Sequence, residues 1–360
     1  MPLVSLGSRT FRCFQHLDVE LSEQWNCVFG QNGSGKTSFL EAIAVLGHGR
    51  SFRTNLRKPL VKAGASGFQV FGQVTCGPGR AWPMGLSWTT SQGVEARIGG
   101  QPARSIGELA HRLPVQVLHS RSHELVSGGP AERRRYLDWS VFHVEHTSHA
   151  AWRRFRGALD QRNACLRRGG RPSEIRVWDH SLVEAGELID RWRRQQLAEL
   201  QPKIESLVAH LANIGSLTLR YRSGWPDGQS LGEAISNGIA VDVRYGQTRS
   251  GPHRADLDIL VDGRPAAERL SRGQQKLLSA ALVFAQVATA REVNQCTPLL
   301  LVDDLSSELD EEGVIRLTAA MGQLGAQIVV SSLRRDLHPP AEIDTTRWFH
   351  VEHGHVKAMI

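Results

Sequence analysis

The sequence predicts an α/β protein in which a mixed sheet with helices and an antiparallel β layer is interrupted by a mainly helical segment. Three observations lead to this prediction. A glycine-rich loop lies between a short apolar strand and a helix, within residues 26–43. A continuous apolar strand at residues 298–302 ends in two carboxylates. Between these segments, apolar residues recur at helical spacing over residues 178–214, which is typical of packed helices.

The glycine-rich loop fits the phosphate-loop pattern G-x-x-x-x-G-K-[ST] and predicts an ATP site. Its residues are Gly30, Gln31, Asn32, Gly33, Ser34, Gly35, Lys36, Thr37 and Ser38. Glycines let backbone N–H groups surround phosphates, and the following helix N-terminus adds positive dipole. The pattern predicts that Lys36 contacts the β- and γ-phosphates and that the Thr37 hydroxyl binds Mg²⁺. Residues 50–53, which follow this helix, are candidates for contact with the adenine, the ribose or the α-phosphate.

The apolar strand at residues 298–302 is followed by Asp303 and Asp304. A continuous apolar run suits a parallel strand that is covered on both faces. We expect Asp303 to hold Mg²⁺, as a Walker B acid does. We expect Asp304 to orient or deprotonate the attacking water. Residues 327–332 are predicted as the next core strand.

Two motifs beside this strand resemble those of ABC-type ATPases. The signature, usually written LSGGQ, matches Ser271, Gly273 and Gln274, with Arg272 in place of the first glycine. A D-loop resemblance includes Ser307 and Asp310, directly after the carboxylates. In ABC-type heads each ATP lies between the Walker motifs of one protomer and the signature of the other. The resemblance therefore implies an ATP-dependent homodimer in which Ser271 caps the γ-phosphate bound by the partner.

The motifs divide the chain into a split ATPase domain and an insertion. We assign residues 1–115 and 225–360 to an ABC-type head and residues 116–224 to a helical domain. Alternating segments at 14–21, 68–74 and 84–88 predict the antiparallel layer. In the insertion, the stripe of Trp178, Leu182, Ala185, Ile189 and Trp192 predicts a core-facing helix face, with a break at Pro202.

Composition bounds the class of protein. The 360 residues include 43 Lys and Arg against 36 Asp and Glu, which gives a net charge of +7. This balance suits nucleic acid or an acidic membrane surface. No apolar run reaches the length of a membrane span, and the first residues lack the pattern of a signal peptide. The five cysteines form no C-x-x-C pair, so we expect reduced thiols and a cytoplasmic protein with no membrane partner.

Over essentially its whole length, the chain resembles the RecF family of bacterial recombination mediators, which is related to the SMC heads. The segments that carry the resemblance, besides the phosphate loop, are residues 11–14, 128–139, 161–163, 250–257 and 270–274. Two positions depart from the family pattern: Cys13 stands where asparagine is common, and Ala255 stands where the family has an acidic residue.

The resemblance implies a role in recombinational repair and replication restart. It implies ATP and Mg²⁺ as cofactors, binding of double-stranded and gapped DNA at single/double-strand junctions, and work with RecO and RecR to help load RecA. We expect slow ATP hydrolysis that acts as a timer for dimer opening. Asp304 is shorter than the usual glutamate base, and Ser331 and Ser332 stand where transporters carry a switch histidine.

The insertion is rich in arginine and predicts the DNA contacts. The candidate residues for contact with DNA phosphates are Arg133, Arg134, Arg153, Arg154 and Arg156. The alternative is a solvated helix face on which these arginines pair with Asp and Glu.

Three other functions fit part of the pattern. A transporter ATPase subunit has a much shorter gap between phosphate loop and signature than the 235 residues from Lys36 to Ser271. An SMC-like structural tether needs a longer insertion for its coiled coil. For a DNA-binding module with a vestigial ATPase, the intact Lys36, Thr37 and Asp303 argue against loss of nucleotide binding but not against very slow hydrolysis.

Overall fold

The chain forms two compact units. The computed structural model describes residues 2–75, 80–294, 297–304, 309–335 and 339–359. Residues 1–122 and 280–360 form the first unit, and residues 123–279 form the second. Residues 225–279, predicted as part of the ATPase domain, fall in the second unit together with the helical segment.

The elements of the described residues are as follows. The strands are β1 (Leu3–Phe11), β2 (Phe14–Glu20), β3 (Trp25–Phe29), β4 (Gly67–Thr75), β5 (Ala81–Thr89), β6 (Gly93–Ile98), β7 (Gln101–Pro102), β8 (Val115–Leu118), β9 (Leu217–Arg222), β10 (Asp256–Val261), β11 (Arg264–Pro265), β12 (Leu299–Val302), β13 (Gln327–Ser332), β14 (Thr346–Glu352) and β15 (His355–Met359). The helices are α1 (Lys36–His48), α2 (Ile106–Arg112), α3 (Glu124–Ser127), α4 (Pro130–Val144), α5 (Ser148–Arg167), α6 (Pro172–Arg176), α7 (Asp179–Leu211), α8 (Leu231–Tyr245), α9 (Ala266–Arg269), α10 (Arg272–Asn294) and α11 (Glu311–Gln323).

The first unit is built on a six-stranded sheet in the order β15-β14-β3-β13-β12-β8. All neighbours pair in parallel except β14 and β15. Every residue of β12 and β13 is buried, as expected for strands covered on both faces. The strands predicted at 298–302 and 327–332 are confirmed. The parallel order places the carboxyl ends of β3, β13 and β12 side by side.

A second, antiparallel sheet completes the first unit, in the order β2-β1-β4-β5-β6-β7. It confirms the predicted antiparallel layer. Helix α1 contacts strands of both sheets, and its residues 39–47 are all buried. A helix that is apolar on all sides belongs in a core. Since α1 follows the phosphate loop directly, this burial fixes the position of the loop.

The second unit is mainly helical, with a small sheet in the order β11-β10-β9. Leu182, Ala185 and Ile189 are fully buried, so the predicted core stripe is confirmed. The predicted break at Pro202 is wrong, because α7 continues through it for 33 residues. Leu200 and Ile204 on either side are fully buried. Their packing holds the helix together at a proline that propensity alone would make a boundary.

None of the helices in the described part of the chain is both long and apolar enough to cross a membrane.

The end of α1 makes the stability of the fold depend on pH. His48 Nε2 lies 2.7 Å from the carbonyl oxygen of Val115. Burial, together with the nearby charge of Arg50, lowers the His48 pKa to about 4, although the bond to Val115 acts in the opposite direction. The folded pKa lies below the unfolded value, so the unfolded chain binds the proton first as pH falls. This contribution to stability is complete above about pH 6.5 and is lost towards pH 4.

We predict that wild-type protein loses up to about 3 kcal/mol of unfolding free energy through His48 between pH 7 and pH 4. His48→Gln does not titrate and keeps an N–H donor, so it should lose less over the same range. Urea unfolding at several pH values measures both proteins. Equal losses in wild type and variant would contradict the role of His48.

Candidate nucleotide-binding site

The phosphate loop leaves β3 at the carboxyl end of the parallel sheet. Gly30 and Gly35 have φ angles of 153° and 122°, which side-chain-bearing residues rarely adopt. A Cβ on Gly30 would lie 2.3 Å from the carbonyl oxygen of Val351, and one on Gly35 would lie 2.8 Å from Cys13 Sγ. The loop is thus pressed against β14 and the turn after β1, and only glycine fits at both positions.

The inner surface of the loop has the features of an anion cradle. Ser34 is buried, and its Oγ has no hydrogen-bond partner among the described residues. Nothing within 4 Å would meet a Cβ on Gly33. Helix α1 begins at Lys36 with no side-chain cap and no acidic residue in its first turn. Its first N–H groups and the positive end of its dipole therefore remain available to a phosphate.

Lys36 lies over the loop. Its Nζ donates to the carbonyl oxygens of Gly30, at 2.6 Å, and Gln31, at 3.0 Å. Burial lowers the pKa of Lys36, although the charges of Asp304 and Asp303 act in the opposite direction. These two carbonyls are weaker partners than an ionised phosphate. A bound polyphosphate would therefore take over the ammonium group.

Asp303 accepts hydrogen bonds from two hydroxyl groups. Thr37 Oγ1 donates to Asp303 Oδ1 at 3.1 Å, and Ser331 Oγ donates to the same oxygen at 2.8 Å. The backbone N–H of Asp304 in turn donates to Ser331 Oγ at 2.9 Å. Strand β13 lies between β3 and β12. The carboxyl end of β13 therefore places Ser331 between the phosphate loop and the two carboxylates.

The environment of Asp303 suits a bound cation. Burial raises its pKa, against the hydrogen bonds from Ser331 and Thr37. A divalent cation at this oxygen would offset the cost of the buried charge. Within the described ranges, no group of three or more His, Cys, Asp and Glu side chains could hold a metal ion. One carboxylate and one hydroxyl beside a phosphate cradle suit Mg²⁺, because proteins usually bind this ion with few of their own ligands and with phosphate oxygens of the substrate.

The segment after α1 adds residues to this edge. The Phe52 ring stacks on the His119 ring with centroids 5.5 Å apart. Arg53 lies 3.8 Å from the buried carboxylate of Glu41. Its positive charge opposes the rise in the pKa of Asp303 that burial causes. Arg12 binds the other oxygen of Glu41 at 2.6 Å. Residues 50–53 are predicted from the sequence to lie near the nucleotide, but only the fold places Arg53 close enough to influence Asp303.

The signature residues belong to the second unit, at the start of α10. Ser271 and Arg272 are exposed. The Ser271 N–H donates to Gln274 Oε1 at 3.0 Å, and Ser271 Oγ accepts from the Gln274 N–H at 3.3 Å. This reciprocal pair is a capping box, which orders the helix start. Because Ser271 Oγ accepts this bond, its own proton can still be donated outward. Gly273, within the first turn of α10, is half-buried.

The D-loop lies partly outside the described residues, and Ser307 is among those not described. Asp310 is described: its side chain accepts from the Gly313 N–H at 2.7 Å. It caps the N-terminus of α11.

Two of the predicted DNA-contact arginines are used inside the second unit. Arg133 Nε donates to Asp256 Oδ1 at 2.7 Å, and Arg133 Nη1 donates to the Gly128 carbonyl at 2.6 Å. Arg134 Nη1 donates to the Ala255 carbonyl at 2.9 Å. Both residues are half-buried and link α4 to the start of β10. These contacts give Arg133 and Arg134 a role in the packing of the unit, and contact of either residue with DNA stays a prediction.

The other three candidates, Arg153, Arg154 and Arg156, are exposed on α5. Arg154 pairs with the exposed Glu184 at 3.0 Å. The Arg156 guanidinium lies 5.5 Å from the centroid of the Trp152 ring. Such surface contacts are weak and leave the cations accessible to a polyanion.

Comparison with known proteins agrees with this geometry. The family described as RecF/RecN/SMC N terminal domain matches residues 2–357. The DNA replication and repair protein RecF of Thioalkalivibrio sulfidiphilus is 41% identical over 355 residues, covering 98% of both chains. RecF of Cellvibrio japonicus is 38% identical over 361 residues, covering 99% of both chains.

Solved structures share the fold. The recombination mediator protein RecF with ATP, from the RecFOR pathway, matches with a TM-score of 0.89 and 24% identity, over 100% of this chain and 98% of that chain. An SMC head bound to the C-winged helix domain of ScpA matches with a TM-score of 0.61 and 16% identity, over 100% and 97%.

Fold and site together define the class: an ABC-type P-loop ATPase head related to the SMC heads. Within that class, the chain belongs to the RecF family of DNA replication and repair proteins. The match runs over nearly the full length of both chains. A transporter subunit and an SMC-like tether are therefore not favoured.

We predict that Ser331→Ala weakens Mg²⁺-dependent nucleotide binding about tenfold, because it removes one hydrogen bond to Asp303 and the acceptor for the Asp304 N–H. Titration of a fluorescent ATP analogue, with and without Mg²⁺, measures the effect. The matched control is Ser8→Ala, which removes a buried hydroxyl of β1 that has no hydrogen-bond partner among the described residues. Equal affinities of the two variants would show that the Ser331 hydroxyl does not support the site.

Proposed function

We propose that this chain is an ATP- and Mg²⁺-dependent DNA-binding protein of recombinational repair and replication restart. It closes into a homodimer when ATP binds, engages double-stranded and gapped DNA, and works with RecO and RecR to help load RecA. The observation that carries the proposal is the convergence of Lys36, Thr37, Asp303 and Ser331 on one anion cradle. Membership of the RecF family supports the DNA role and the partners. A cytoplasmic location stays a prediction.

Different groups of the site would bind different parts of the nucleotide and its metal ion. The loop N–H groups and the start of α1 bind the phosphates, and Lys36 neutralises the terminal ones. Thr37 and Asp303 hold Mg²⁺, which offsets the negative charge of the phosphate oxygens when bound. Ser331 is a positioning residue, since it orients Asp303 and the Asp304 backbone without needing to touch the nucleotide.

Asp304 is the candidate base for hydrolysis. Its φ angle of 59° lies in the left-handed region, which is uncommon for a residue with a side chain. The bond from its N–H to Ser331 helps to hold this conformation. Such strained residues concentrate at active sites. Its side chain is one carbon shorter than a glutamate, so we propose slow hydrolysis that times the opening of the dimer.

The second half of each site comes from the partner chain in this proposal. Ser271, at the exposed start of α10, has a hydroxyl proton and a helix dipole to offer to a γ-phosphate. ATP then stabilises only the closed dimer, because the open chain lacks half of the contacts. Arg272, exposed beside Ser271, adds a positive charge to this end of α10.

A mixing experiment tests whether the signature of the partner chain completes the ATP site. We predict that Lys36→Ala loses ATP binding, whereas Ser271→Arg binds ATP as a monomer but does not dimerise or hydrolyse it. Mixed together, the two variants form a dimer with one intact composite site. Light scattering and ATPase assays should therefore show partial recovery.

The matched control is Ser206→Arg, which puts the same cation at an exposed position of α7. It should dimerise like wild type. If Ser271→Arg loses monomeric ATP binding as fully as Lys36→Ala, and mixing restores nothing, the composite site is wrong and the signature acts within its own chain.

DNA binding in this proposal uses Arg153, Arg154 and Arg156. We predict that replacing all three with Ala lowers affinity for duplex DNA and reduces the slope of log K against log salt by up to about 2.7, at about 0.9 per phosphate contact. Fluorescence anisotropy from about 50 to 200 mM salt gives the slope. The charge-matched control replaces exposed Arg220, Arg264 and Arg269. Equal effects of both triples would remove α5 from the DNA contacts.

A further inference from the structure

A second basic surface lies where α5 and α8 end together. We call Arg167, Arg168, Arg244, Tyr245 and Arg249 the arginine corner. All five are exposed, and 54% of Tyr245 is accessible. The guanidinium carbons of Arg249 and Arg244 lie 4.7 and 5.7 Å from the centroid of the Tyr245 ring. A Cβ at Gly246 would lie 3.5 Å from Arg167 Cγ, so the two helix ends are in contact.

A buried network makes the arginine corner rigid. Arg162 is fully buried, and its Nη1 donates to Asp242 at 2.7 Å and to Thr248 at 2.8 Å. Asn163 Oδ1 accepts from the Thr248 N–H at 2.7 Å. Asp242 also accepts from the Arg249 N–H at 2.9 Å. The backbone on both sides of Tyr245 is therefore anchored, which lowers the entropy cost of binding a ligand there.

The charge of the arginine corner is largely uncompensated. Arg168 lies 3.7 Å from Glu174. Among the described residues, Arg167, Arg244 and Arg249 make no ion pair. The nearby carboxylate of Asp242 is already bound to Arg162. The corner thus offers cations that the unit itself does not use.

The chemistry of the arginine corner favours an oxyanion. A guanidinium stacked on an aromatic ring keeps its N–H edge free and loses little freedom when it binds. That edge matches phosphate oxygens in a bidentate geometry. The alternative role for these arginines is to stabilise the carboxyl ends of the helices. At the end of α8, however, the carbonyls of Asp242 and Val243 already accept a hydrogen bond from the Gly246 N–H.

The arginine corner is aligned with the arginines proposed to bind DNA. Arg156 and Arg167 are eleven residues apart on α5, which is close to three full turns, so they lie on one face about 16 Å apart. Asp160 is the exposed carboxylate between them on this face. A nucleic acid backbone carries a regular row of phosphate charges that can follow such a path.

We propose that the arginine corner binds the phosphodiester backbone of nucleic acid, as a second contact surface beside Arg153, Arg154 and Arg156. The inference rests on the proposed function that the chain binds DNA. Single-stranded and duplex nucleic acid share this chemistry, and the test separates them.

The test uses the full chain and two fluorescein-labelled probes, a thirty-nucleotide thymidine strand and a duplex of equal length. Arg244→Ala with Arg249→Ala should weaken binding at least fivefold to the probe that the corner contacts. The salt slope should fall by about 1.8 for duplex or about 1.4 for single strand. Tyr245→Ala should weaken binding in the same direction, whereas Tyr245→Phe, which keeps the ring, should bind like wild type.

The charge-matched control is Arg220→Ala with Arg269→Ala, which should leave both slopes unchanged. The proposal is overturned if the Arg244 and Arg249 variant binds both probes like wild type, or if its melting temperature falls while binding is normal. It is also overturned if poly-glutamate of equal length competes as well as the thymidine strand, which would indicate an acidic protein partner. If wild type binds neither probe, the proposed DNA function itself fails.

Discussion

The hydrogen-bond chain from Thr37 through Asp303 to Ser331 is the constraint on which the rest of the site depends. It joins α1, β12 and β13, three elements that are far apart in sequence. The chain exists because β13 lies between β3 and β12 in a parallel sheet whose residues are buried on both faces. Burial prevents these strands from shifting, so the carboxyl ends stay in register and the carboxylate stays beside the phosphate loop.

Arginine has two different roles in the second unit. Some arginines stabilise the packing within the unit: Arg133 binds Asp256, Arg193 donates to the Pro252 carbonyl, and Arg162 binds Asp242. The partners of the first two lie within residues 250–257, one of the segments that carry the family resemblance. Others lie exposed on α5 and at the arginine corner. Composition counts both kinds together and cannot separate a packing cation from one that is free to meet a polyanion.

The division into two units is consistent with a composite ATP site. The phosphate loop and Asp303 belong to one unit, whereas Ser271 begins a helix in the other. The capping box at Ser271 keeps that helix start ordered without using its hydroxyl proton. In the proposed dimer, the ordered start of α10 in one copy would meet the nucleotide bound by the phosphate loop of the other copy.

The sequence by itself determined the phosphate loop, the Walker B strand, the core stripe of α7 and the family, because each is encoded in local spacing or in contiguous motifs. The tertiary structure decided the rest. Ser331 meets Asp303 only because of the strand order, and α7 continues through Pro202 because buried Leu200 and Ile204 outweigh local propensity. Arg133 binds Asp256 because the fold brings together two residues that are distant in sequence. Local patterns specify elements, but which side chains meet depends on contacts between segments that the sequence keeps far apart.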